Sequence, residues 1–135
     1  MQLMLSRWFH KKPAPLSGAP AVRRQKTYSA QSGYVYQYFY EGQRPTIAER
    51  GVEYVFDVSA DRKTSVRVSV LVSEEAVESW QVESSRTLTG AERYAIAKMA
   101  LFQAFDERPT PAALDEPVRV AAPEIRAILA TLDID

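Results

Sequence analysis

Apolar and polar residues alternate in three successive segments of the chain, and this pattern predicts three β-strands. The first strand covers residues 34–40, the second 53–59 and the third 64–72. The short polar break at 60–63 predicts an antiparallel hairpin between the second and third strands, and the first is expected to complete a meander. Four tyrosines share one face of the first strand: Tyr34, Tyr36, Tyr38 and Tyr40. The other face of that strand receives Val35, Gln37 and Phe39.

The hydrophobic period becomes helical after Ser73, which is placed to cap a short helix. Thr89 and Glu92 have the spacing of a capping box and predict a long helix running to about Asp106. Pro123 predicts the start of a last helix. A sheet with one apolar face must be covered by other elements. We therefore expect an α+β fold: a three-stranded antiparallel meander followed by two to three helices packed on one face.

Charge divides the chain unevenly although the net charge is zero. Residues 1–27 contain six basic and no acidic residues, whereas residues 28–135 contain eleven basic and seventeen acidic ones. This asymmetry predicts a basic, flexible N-terminal arm at 1–27 before a single α+β domain at 28–135. Arg23, Arg24 and Lys26 are the arm residues expected to meet an anionic partner.

The cysteine content and the apolar runs of the chain bear on its cellular compartment. The absence of cysteine favours a reducing compartment, and no apolar run is long enough for a transmembrane segment, so we expect a cytoplasmic protein. The alternative is the mitochondrial matrix, if residues 1 to about 28 are a transit peptide. The arm's prolines, Pro13, Pro15 and Pro20, count against that alternative.

Candidate chemistry is sparse. The single histidine, His10, lies in the arm, and the chain has no phosphate-binding glycine loop, nucleophile elbow or metal-binding motif. We therefore expect no cofactor, no metal and no catalytic residue, and an enzyme is disfavoured. The remaining enzymatic alternative is a carboxylate-dependent reaction around Asp57 and Asp61.

The tyrosine stripe is the least ordinary feature, and its exposure would decide its role. We predict that Tyr34, Tyr36, Tyr38 and Tyr40 are exposed and used as an interaction face, since such a stripe beside a basic arm suits base stacking on single-stranded nucleic acid or contact with a protein. Tyrosines packed at the core are the ordinary alternative. Our prediction is a non-catalytic binding or accessory module, such as a subunit of a larger assembly, with a protein partner. The alternative is a single-stranded nucleic-acid-binding protein that uses the tyrosines and the arm.

Overall fold

The fold is described from a computed structural model that covers residues 13–135. Residues 1–12, which include His10 and the first part of the predicted arm, lie outside the described residues. Residues 13–135 form an α+β unit with a curled five-stranded mixed sheet and three α-helices. None of these helices is long and apolar enough to cross a membrane.

The sheet has the strand order β1-β2-β3-β4-β5. Its strands are β1 (Lys26–Ser29), β2 (Val35–Pro45), β3 (Gly51–Ser59), β4 (Val66–Ser73) and β5 (Val118–Val120). The first four strands pair as an antiparallel meander, as predicted for the three central ones, and β5 pairs parallel to β4. A parallel neighbour requires a long crossover, and the helices between β4 and β5 provide it.

The prediction of three strands was therefore too small by two. β1 has the sequence KTYS, with one aromatic residue and no alternating pattern, so hydrophobicity alone does not mark it. β5 is only three residues long, too short for an alternating pattern to mark it. Because β1 begins at Lys26, ordered structure also begins before Tyr34, where the sequence pattern placed it, and it crosses the predicted boundary at residue 28.

The helices are α1 (Glu74–Ser84), α2 (Gly90–Glu107) and α3 (Ala122–Thr131), with a 3-10 turn at Pro111–Asp115. Their predicted starts are confirmed by the hydrogen bonds at their ends. The Ser73 hydroxyl accepts from the Ala76 N–H, and Thr89 and Glu92 form the reciprocal capping box. Glu124 accepts from the Ala121 N–H at the start of α3. These contacts satisfy N–H groups that a helix end leaves without a partner.

All three helices pack on one face of the sheet, hereafter the helix face, and enclose an aromatic core. Tyr36 stacks on Phe105 with ring centroids 4.2 Å apart, and Tyr28 stacks on Phe102 at the same separation. Tyr40 packs against Tyr94 of α2 at 4.7 Å. Offset stacking of this kind adds to the free energy gained by burying the rings. The aromatic residues of β2 thus hold α2 on the sheet.

Candidate functional site

The four predicted interaction tyrosines do not form an exposed ladder. Tyr36 and Tyr38 are 0% and 3% exposed, Tyr40 is partly buried, and only Tyr34 is exposed, at 37%. The prediction of an exposed tyrosine face is wrong because this is the apolar face that the helices cover. Burial, with a smaller contribution from Tyr94, raises the pKa of Tyr38 to about 12. Stacking of bases on this stripe would require the helix layer to leave the sheet.

The opposite side of the sheet, hereafter the outer face, mixes polar side chains with Phe39 and Val55, and the described part of the arm pairs with the free edge of β2 beside it. The backbones of Ser17 and Gln43 exchange hydrogen bonds of 2.9 and 2.8 Å. Gly42, beside this bridge, forms a bulge in β2 with a φ of +120°. A Cβ at this position would lie 2.7 Å from the Ser17 carbonyl oxygen. The backbone of residues 16–17 therefore rests on the strand because residue 42 has no side chain.

The arm's contact with the outer face itself is made by Arg23. Its guanidinium lies 3.7 Å from the centroid of the Phe39 ring and donates to Glu41 at 2.5 Å and Asp57 at 3.1 Å. The hydrogen bond to Glu41, together with that to Asp57, outweighs desolvation and raises the pKa of Arg23. Arg23, a predicted contact for an anionic partner, is thus already bound to two carboxylates of this chain. Whether the arm is flexible stays a prediction.

A cleft of about 360 Å³, hereafter the outer cleft, opens on the outer face beside the β3–β4 loop. Its floor includes Gln37 and Asp57, and its rim includes Arg62 and Lys63. Gln37 is 4% exposed, and its Oε1 atom has no hydrogen-bond partner among the described residues. Nearly all buried polar groups in folded proteins are hydrogen-bonded, so an unmatched amide in a cleft is a candidate contact for a ligand.

Asp61 holds the loop beside the cleft in shape. Its carboxylate accepts from the N–H groups of Lys63 and Thr64 at 2.8 and 2.9 Å. The N–H of Thr64, followed by that of Lys63, holds the pKa of Asp61 down to about 2. Arg62, in the left-handed region with a φ of 63°, donates its N–H to Ser59. The predicted carboxylate pair is therefore divided between two tasks, since Asp57 binds Arg23 and Asp61 organises the loop.

A second cleft, of about 300 Å³, lies on the helix-face side of the same loop. Tyr34 and Val66 are its exposed apolar walls, and the buried Tyr36 hydroxyl, which also lines it, has no hydrogen-bond partner in the described part of the chain. The nearby Ser32 hydroxyl donates to the Phe105 carbonyl at 2.7 Å, so its hydrogen is already used. Burial raises the pKa of Tyr36, and Tyr34 adds to the shift.

Three of the four glutamates of α1 form ion pairs within the described residues. Glu74 binds Arg93 of α2 at 3.0 Å and Glu78 binds Arg50 at 2.5 Å. Within residues 13–135, no three His, Cys, Asp or Glu side chains lie together as metal ligands.

Sequence reasoning missed Gln37 and the cations of the loop. Gln37 is the one non-aromatic polar residue in the run from Tyr34 to Tyr40, and that isolation was the available signal. Arg62 and Lys63 were interpreted only as a polar break between strands. Their place at the rim of a cleft depends on the fold of the loop, which the sequence pattern does not reveal.

No protein-family model, curated protein or solved structure matches the chain.

Proposed function

We propose that this protein is a non-catalytic binding or accessory module that contacts the acidic surface of a protein partner through its outer face. The observation that carries the proposal is the distribution of charge between the layers. Residues 74–135, which form the helix layer and β5, contain twelve acidic and six basic residues, a net charge of −6. Residues 28–73, which form most of the sheet, contain five of each and are neutral. The negative charge of the domain thus belongs to the helix side.

The sheet side is the side on which cations are available. Four exposed basic residues of the arm, the β3–β4 loop and β4 form no ion pair within residues 13–135: Arg24, Arg62, Lys63 and Arg67. On the helix side, the arginines at 86, 93 and 126 are each paired with a glutamate, and the two cations without an ion pair in the described part of the chain, Lys98 and Arg108, are partly buried. An acidic partner is attracted to the sheet side and repelled by the helix side, which orients the encounter.

A protein partner is preferred to nucleic acid because the tyrosines needed for base stacking lie in the core. The phosphate attraction of the arm remains, so nucleic acid is an outcome that the experiment must distinguish.

The experiment captures partners from a lysate of the source cells on the immobilised full-length protein and quantifies them by mass spectrometry. The wild type is compared with Arg62→Glu/Lys63→Glu on the outer side, and with Lys98→Glu/Arg126→Glu as a control that changes the net charge equally on the helix side. We expect a specific protein to be lost with the first variant and retained with the second. Its capture should weaken as NaCl rises from about 50 to about 500 mM, because salt screens exposed charges.

Equal loss with both variants would overturn the oriented interface, and loss with neither would overturn the electrostatic contact. Capture abolished by nuclease treatment would replace the protein partner by nucleic acid. Melting temperatures of both variants establish that they are folded.

A further inference from the structure

The outer cleft contains a polar group for which the fold supplies no partner. Gln37 lies near the start of β2, between Thr27 of β1 and Ser59 of β3 in register. Its side chain lines the cleft with Oε1 buried and unpaired. A buried acceptor without a donor costs roughly 1–3 kcal/mol, and a ligand that supplies the donor recovers this free energy. A methionine or leucine would fill the same position without that cost, so the amide has a use other than packing.

The rim of the cleft offers positive charge on a fixed support. Arg62 and Lys63 are exposed and have no ion pair within the described residues. The backbone that carries them is held by the hydrogen bonds to Asp61 and Ser59. The cations therefore project from an ordered loop, and only their side-chain freedom is lost when they bind an anion.

The cationic group on the other side of the cleft is already satisfied. Phe39 lines the wall, and the Arg23 guanidinium above it is neutralised by Glu41 and Asp57. The unmatched groups that remain are the Gln37 amide on the floor and the two cations on the rim. A ligand must therefore join a neutral hydrogen-bonding group to an anionic one.

A peptide group next to an acidic side chain has this combination. A carboxamide offers one N–H donor side and one C=O acceptor side, as a peptide bond does, and rotation about its terminal torsion exchanges the two. A volume of about 360 Å³ lies in the range of pockets that bind small ligands, and it suits a few residues of an extended chain.

We propose that the outer cleft binds an acidic peptide segment, with a backbone peptide group on the Gln37 amide and a carboxylate on Lys63 and Arg62. This inference rests on the proposed function, because it identifies the part of the acidic partner that enters the site.

The test uses the full chain, a fluorescent hexapeptide of glutamates and, as controls, the corresponding glutamine peptide and a hexanucleotide of thymidylate. Binding is measured by anisotropy, and its location by the ¹⁵N–¹H spectrum of the protein. We expect the glutamate peptide alone to bind and to shift the Gln37 side-chain amide and the backbone amides of residues 62–65. Gln37→Met should weaken this binding about 5- to 10-fold, the loss of one or two hydrogen bonds. Lys63→Gln should weaken it by a similar factor.

The melting temperature of Gln37→Met also separates a binding role from a structural role, because the loss of a structural role would lower it. Because this variant removes an unpaired buried acceptor, it should leave the melting temperature unchanged or raise it. Gln103→Met on α2 is the matched control and should leave peptide binding unchanged. A lower melting temperature with undiminished peptide binding, or shifts that map away from the cleft, would overturn the inference. If the loop variant still loses its captured partner in that case, the binding function stands and only this site is wrong.

Discussion

The two faces of the sheet are built from alternate residues of the same strands, yet they differ in what they leave unsatisfied. On the helix face, Tyr36, Phe56 and Val70 are fully buried in the core that the sheet forms with the helices. On the outer face, Gln37 and Asp57 face a cleft, and Arg23 of the arm, which also pairs with the edge of β2, lies over Phe39. The comparison shows that the face with the more conspicuous aromatic pattern makes the core, and that the opposite face keeps the unpaired amide of Gln37.

The largest expected difference between the faces is in the stability that an aromatic ring contributes. Phe105→Ala removes a fully buried ring that stacks on Tyr36, and should lower the free energy of unfolding by about 3–5 kcal/mol. Phe39→Ala on the outer face should cost clearly less, since Phe39 is only partly buried and its main described partner is the exposed Arg23. Urea denaturation measures both. Equal losses would show that the arm and outer face form a second core.

Much of the helix face could be predicted from the sequence, because hydrophobic period and capping chemistry are local. The valines of β4 and the capping box at Thr89 and Glu92 specify their elements without reference to the rest of the chain. The edge strands could not be predicted in the same way. β1 and β5 are short, and their place depends on hydrogen bonds that β2 and β4 offer from far along the chain.

A smaller loss of stability is expected where the arm meets the edge of β2. Gly42→Ala places a Cβ against the Ser17 carbonyl and forces a side chain into a positive-φ conformation. The free energy of unfolding should fall by about 1–3 kcal/mol, the range for a strained backbone residue. Gly90→Ala, at the start of α2 with open space around the added Cβ, is the matched control and should be nearly neutral. If both variants are neutral, the arm does not rest on β2 in solution.

The candidate site was less predictable than the core, and the reason is the same at each of its residues. Arg23, Gln37 and Lys63 belong to the arm, to β2 and to a loop, and the fold brings them to one region of the outer face. Their types gave only weak signals: a cation in a basic arm, an amide in an aromatic run, a cation in a turn. An orphan hydrogen-bonding atom becomes visible only once its surroundings are known.

The ionisation of tyrosine has the smallest effect on stability near neutral pH, because it occurs only at alkaline pH. It reports on the helix face alone. Burial, with a contribution from Tyr54 and then Tyr94, raises the pKa of Tyr40 to about 12, and Tyr38 is shifted equally. Tyrosine in the unfolded chain ionises near pH 10, so folding favours the protonated form. The stability that these hydroxyls contribute is complete below about pH 10 and is lost as the pH rises towards 12. Tyrosinate absorbance and circular dichroism, followed together, should show these tyrosines ionising as the protein unfolds.

Tyr40→Phe keeps the ring and removes one titrating hydroxyl, so the stability of this variant should fall less steeply between about pH 10 and 12. Full ionisation near pH 10 in a protein that remains folded would mean that water reaches the helix face, and the contrast between the two faces would then be lost.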